Sequence, residues 1–227
     1  MRNALEVLFP MYDKCGFCDR RSYRNGMCKL CLKEVEMIRG SICERCGRPM
    51  GETTLCVDCF QRKETYFMCN RSAVLYNDKM KEMLSLYKFR GQETLAYTFS
   101  LFLESAYRQY YQRIGFDYIT FVPVHEERLK ERGFNQAQQL AFQLSLRTKI
   151  PVISLLTKTK NTEKQSKKHR RQRLHTLYNA FHLRPFPARI KRVMLIDDVY
   201  TTGTTINECA RVLNKAGIIV YSLTVAR

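Results

Sequence analysis

Val193-Met-Leu-Ile-Asp197-Asp198-Val-Tyr200-Thr201-Thr202-Gly203-Thr204-Thr205 combines four features in one short run. The apolar residues predict a strand buried on both faces. Two adjacent acids close it. A hydroxyl-rich loop with one glycine follows. Residues 204–216 then show helical spacing, stopped by Gly217. In an open parallel sheet, ligands sit beyond such strand ends. Loop N–H groups and a helix N-terminus cradle phosphate, and threonine hydroxyls add donors. Gly203 permits a backbone conformation that other residues avoid. The carboxylates of Asp197 and Asp198 can accept hydrogen bonds from vicinal ribose hydroxyls. Gly-Lys-Ser/Thr is missing, so this is not a Walker loop. An acidic strand end followed by ordinary turn chemistry is the bland alternative. It accounts for each piece but not for their conjunction.

The flanking sequence alternates in the same way. Residues 71–76 predict a strand, and 79–87 a helix with Met80, Met83, Leu84 and Tyr87 on one face. Lys88-Phe-Arg90-Gly91 reads as a basic turn. A long helix over 94–111, a buried strand over 117–124, a charged loop and a helix over 136–146 follow. Short strands are expected at 152–156 and, finally, 218–225. Strands alternating with helices imply an α/β fold with a doubly wound parallel sheet.

The N-terminal region differs. Eight of ten cysteines form four Cys-x-x-Cys pairs: Cys15/Cys18, Cys28/Cys31, Cys43/Cys46 and Cys56/Cys59. The spacing C-x2-C-x9-C-x2-C occurs twice, which is an internal repeat. Residues 11–60 carry few large aliphatics and need a staple. Zn²⁺ takes four thiolates in a tetrahedron, and two knuckles close one site. Sequential pairing and an interleaved cross-brace both remain open, and zinc fits the ribbon spacing better than an iron–sulfur cluster. The expected organisation is a double zinc ribbon over 1–65 and a larger domain over 66–227. Cys69 and Cys209 read as ordinary thiols.

No stretch resembles a signal peptide or a membrane span. The chain is therefore expected to be cytoplasmic, without membrane insertion. Reduced, paired cysteines agree with that compartment. The formal net charge of +18 favours polyanionic partners. Two Zn²⁺ and eight thiolates would lower it by four and leave it strongly basic. Residues 158–192 hold twelve Lys or Arg against one acid, Glu163. Such a run is usually a solvated loop, yet counterion release makes it an effective nucleic-acid anchor. Lys167, Lys168, Arg170, Arg171 and Arg173 are its candidate contacts.

The segment from Val193 to Thr205 resembles the signature of type I phosphoribosyltransferases, which bind phosphoribosyl pyrophosphate (PRPP). That resemblance implies that Asp197 and Asp198 hold the ribose hydroxyls. Thr201, Thr202, Gly203, Thr204 and Thr205 would wrap the 5′-phosphate, and Mg²⁺ would accompany PRPP. Lys88, Arg90, Gly91, Val124 and His125 map to the pyrophosphate side. Purine-salvage members carry an Asp three residues after the second acid, where this chain has Thr201. A hypoxanthine-type acceptor is therefore not expected, and no catalytic base stands out. Arg132-Gly-Phe-Asn-Gln136-Ala, Lys-Phe-Arg-Gly, the cysteine pairs and the PRPP loop together resemble the ComF family of late-competence proteins. The family usually has a glycine before Ala-Phe where this chain has Asn179.

Three functions follow as expectations. The first is a DNA-uptake factor that handles incoming single-stranded DNA in the cytoplasm. Its partners would be DNA-uptake proteins such as a helicase-type motor. Arg128 and Arg132 join the basic stretch as candidate nucleic-acid contacts. The second is an active phosphoribosyltransferase with an unidentified acceptor. The third is a zinc-ribbon adaptor for protein contact.

Overall fold

The computed structural model describes residues 13–18, 20–22, 26–90, 93–160 and 179–227. The ribbon region contains β1 (Asp13–Lys14) paired antiparallel with β2 (Arg21–Ser22), then the short helices α1 (Lys29–Lys33) and α2 (Val57–Phe60). The larger region runs β3 (Asn70–Val74), α3 (Asp78–Arg90), α4 (Glu93–Tyr110) and β4 (Tyr118–Phe121). It continues through α5 (Glu126–Arg132), α6 (Gln136–Thr148), β5 (Leu156–Lys158), β6 (Phe181–Leu183), β7 (Arg192–Val199), α7 (Thr204–Asn214) and β8 (Ile219–Ala226).

Four strands form one sheet in the order β3-β8-β7-β4, and every pairing is parallel. The two central strands are buried on both faces: β7 through the apolar run at 193–196, and β8 through a mainly apolar sequence whose Ser222 and Thr224 are hydrogen-bonded to Asn70 and Ser72 of β3. One face packs Met80, Met83 and Leu84 of α3, Leu95, Phe99 and Leu103 of α4, and Leu140 and Leu144 of α6. The other face packs Ile206, Cys209, Ala210 and Leu213 of α7, with Leu156 and Phe181 of the β5–β6 pair. Helices on both faces make the sheet doubly wound, as expected from the alternation.

Two expectations are corrected. Residues 88–90 are not a turn: α3 continues through Arg90. No helix-breaking residue precedes Gly91, and cations suit a helix C-terminus. The charged loop after β4 also contains a helix, α5. His125 caps its start by accepting from the Glu127 N–H, and Gly133, in the left-handed region, ends it. Ile119 bridges Val152 in parallel, so the 152–156 stretch adds only a single rung to the sheet edge.

The ribbon region covers the open edge of β3. The Ile38 N–H donates to the Ala73 carbonyl at 2.9 Å, the Leu75 N–H to Glu36 at 2.8 Å and the Asn70 N–H to Arg45 at 2.7 Å. An uncovered parallel edge would present these groups to other chains. At Gly47, which has positive φ, a Cβ would stand 2.8 Å from the Asn70 carbonyl oxygen. Only glycine admits so close an approach of knuckle to strand. No helix among the described residues is long and apolar enough to cross a membrane.

Candidate functional site

The eight paired cysteines form two groups: Cys15, Cys18, Cys28 and Cys31, and Cys43, Cys46, Cys56 and Cys59. Pairing is therefore sequential and the cross-brace is excluded. Within each group the Sγ atoms all lie within 4.8 Å of one another. Cys18 and Cys28 are 3.6 Å apart, as are Cys46 and Cys56. Tetrahedral Zn–S bonds imply an S···S edge of about 3.8 Å, so the residues fit zinc. Backbone N–H groups point at the sulfurs: Cys31 at Cys28 and Cys56 at Cys43. The Cys31 N–H brings the Cys28 thiol down to about 7. Burial works against Cys43, yet N–H donors from Cys46, Cys56 and Arg45 bring it to about 6. These two thiols are prepared as ligands, whereas burial pushes those of Cys31, Cys46 and Cys59 up.

The acid pair stands at the carboxyl end of β7, as the strand and loop pattern predicts. The Asp198 N–H donates to Asp197 Oδ1 at 2.9 Å, and the Val199 N–H to Asp198 Oδ1 at 2.8 Å. Burial, with the neighbouring Asp198 carboxylate, pushes Asp197 well above the usual carboxylate range. Lys88 reaches in from the end of α3 and places its Nζ 2.6 Å from Asp198 Oδ2. Burial lowers the Lys88 pKa, but the acid pair outweighs it and the net direction is up. Lys88 is thus charged in the resting site and pairs with the Asp198 carboxylate.

Gly203 sits at φ 72°, caps α7 and offers no side-chain cap. First-turn N–H groups of a helix have no intrahelical partner, and that of Thr204 donates to Thr202 Oγ1 at 3.5 Å. Thr202 and Thr204 share a hydrogen bond between their hydroxyls at 2.8 Å. Thr201 is exposed and Thr205 half-buried. A Cβ at Gly203 would overlap the Tyr200 ring, with the hydroxyl at 2.0 Å.

The Arg-Gly-Phe-Asn-Gln run has a bracing role that sequence reasoning missed. Asn135 Nδ2 donates to the Val122 carbonyl at 3.1 Å, at the end of β4. Gln136 Nε2 donates to the Lys88 carbonyl at 3.4 Å, and Tyr87 donates to the Gln136 carbonyl at 3.1 Å. Phe134 packs against Tyr87. Arg132 donates to Gln136 Oε1 at 3.3 Å, and its charge acts on Lys88. Arg132 therefore stands beside the acid pair's lysine, within the same site. Arg128 pairs with Glu131 on α5. His125 is occupied as the α5 cap, and Val124 is half-buried beside it. The side chain of Arg90, with Gly91, Lys167, Lys168, Arg170, Arg171 and Arg173, lies outside the described residues.

A parallel sheet ending in an acid pair and a threonine–glycine loop, joined to two four-cysteine centres, defines a class. It is a phosphoribosyltransferase-like domain behind a double zinc ribbon. A family model of the double zinc ribbon domain matches residues 4–60. The chain is 37% identical over 196 residues to competence protein ComFC of Bacillus subtilis, spanning 84% of this chain and 79% of that protein. It is 31% identical over 192 residues to competence protein ComFC of Streptococcus pneumoniae, spanning 84% and 82%. The chain belongs to the ComF family of competence proteins. Among solved structures, orotate phosphoribosyltransferase from Aeropyrum pernix is similar at 22% identity over 69% of this chain and 68% of that one. The TM-score of that match is 0.36.

Proposed function

We propose that this chain is a competence-type protein that handles incoming single-stranded DNA in the cytoplasm and binds PRPP or a 5′-phosphoribosyl group at 197–205. The observation that carries the ligand is the acid pair at the carboxyl end of β7, beside the Gly203-capped N-terminus of α7. Asp197 and Asp198 would accept from the ribose hydroxyls. The N–H groups and hydroxyls of 201–205 would hold the 5′-phosphate. Mg²⁺, when bound with the ligand, supplies charge neutralisation beside the acids. Lys88 does part of that work in the resting chain and would be released toward the pyrophosphate side.

The DNA role draws on relatives named competence proteins and on the +18 charge. The basic stretch between β5 and β6 is the proposed anchor, and a helicase-type motor the proposed protein partner. Charge reversal at Lys167, Lys168, Arg170 and Arg171 should weaken binding of a single-stranded oligonucleotide and flatten its salt dependence. Unchanged affinity at low salt would remove this surface from the proposal. For the ligand, PRPP with Mg²⁺ should raise the melting temperature of the zinc-loaded protein and leave that of Asp198→Ala unmoved. Equal shifts in both would place the ligand elsewhere. An active transferase is the second reading, favoured by the intact loop; consumption of PRPP with one member of a nucleobase panel would select it.

A further inference from the structure

The second zinc ribbon is tied at several points to the threonine–glycine loop that follows β7. Arg62, three residues after the last ligand Cys59, donates from its guanidinium to the Thr202 carbonyl. The Tyr66 N–H donates to Asn207 Oδ1 at 2.9 Å, and Asn207 Nδ2 donates to the Glu64 carbonyl at 3.4 Å. These two bonds hold the same linker against the first turn of α7. Phe67 packs edge-on against Tyr200, with ring centroids 6.2 Å apart. Tyr200 in turn lies directly under Gly203.

A loop of threonines around one glycine has many backbone states, and ordering it on binding costs affinity. The Thr202 carbonyl and the Gly203 N–H belong to one planar trans peptide. Fixing the carbonyl toward Arg62 turns the Gly203 N–H away from Arg62 and fixes the peptide plane at the start of α7. We infer that the second zinc ribbon holds the phosphoribosyl loop in its ligand-ready shape, with Arg62 as the positioning residue. Arg62 acts through the Thr202 carbonyl and need not touch the ligand. The effect on ligand rests on the reading of 197–205 as a phosphoribosyl site; the effect on the loop does not.

Hydrogen exchange on the full-length, zinc-loaded protein separates the two. Arg62→Met should keep two Zn²⁺ by elemental analysis and raise amide exchange at 201–205 about tenfold, as expected for losing a charge-assisted bond. PRPP with Mg²⁺ should bind about tenfold more weakly. Arg48→Met, which removes a cation paired with Asp58 on the same ribbon, should leave exchange at 201–205 unchanged. If Arg62→Met loses zinc, Asn207→Ala takes its place: faster exchange at 201–205 supports the clamp and unchanged exchange overturns it. Wild-type exchange in a zinc-loaded Arg62→Met overturns the inference outright. Wild-type protein that ignores PRPP sinks the ligand reading instead, and the exchange result still decides the clamp.

Discussion

The two zinc centres share one spacing and lie on opposite faces of the sheet. Cys15, Cys28 and Cys31 continue the core under α3, α4 and α6, where Phe17 meets the Phe99 ring at 6.0 Å. Cys43, Cys46, Cys56 and Cys59 continue the core under α7, beside Phe67 and Tyr200. Arg227 stacks over Tyr200 at 4.7 Å, and its charge opposes the burial that pushes Cys46 up to about 11. Identical ligand chemistry therefore has different consequences. The first centre braces a helical layer; the second adjoins the loop that would hold phosphate.

The largest expected effect separates the centres directly. Cys46→Ser should release one Zn²⁺, destabilise the fold by more than about 3 kcal/mol and abolish PRPP binding. Cys18→Ser at the half-buried corner of the first centre should also release one Zn²⁺ but keep PRPP affinity within about threefold. Elemental analysis, melting curves and ligand titration measure all three; equal loss of affinity in both variants would erase the distinction.

Gly203→Val comes next. It forces a β-branched residue to positive φ and drives its Cβ into Tyr200. A cost of about 1–3 kcal/mol is expected from the backbone alone, with more from the overlap. Denaturant titration should show it while both zinc ions remain bound.

Asp197 gives a smaller effect with a defined sign. Its folded pKa is raised, so its contribution favours the fold at low pH. That contribution is lost as pH rises from the ordinary carboxylate value through the raised one. At pH 7 the ionised form is a burden. Asp197→Asn should therefore stabilise the ligand-free protein there, on the order of 1 kcal/mol, while weakening PRPP binding. The gain should vanish in acid. A variant less stable than wild type at pH 7 would mean that another group already compensates the pair.

His125→Ala should have the smallest effect, about 0.5–1 kcal/mol from the lost α5 cap, with PRPP affinity unchanged. A fall in affinity would return His125 to the pyrophosphate side.

The sequence made the sheet and both metal centres legible for different reasons. β7 announces itself through a continuous apolar run and β8 through a largely apolar one; the cysteine spacing announces two four-thiolate sites, while the sequential pairing is visible only in the fold. Helix α5 escaped because Glu-Glu-Arg-Leu-Lys-Glu-Arg has one apolar residue and no periodicity; its ends are set by His125 and Gly133. The acid pair could be read as a site and the family resemblance put Lys88 on its pyrophosphate side, but the pairing of Lys88 with Asp198 could not be read. Only folding brings Lys88 to Asp198 and Arg62 to Thr202. The last pair spans residues 140 apart in the chain, beyond any local pattern.

Calorimetric titration of the zinc-loaded protein with PRPP, with and without Mg²⁺, tests the central claim most directly. Saturable heat below millimolar ligand, strengthened by Mg²⁺ and lost in Asp198→Ala, is the predicted result. A folded sample holding two Zn²⁺ that shows no saturation at millimolar PRPP would contradict it.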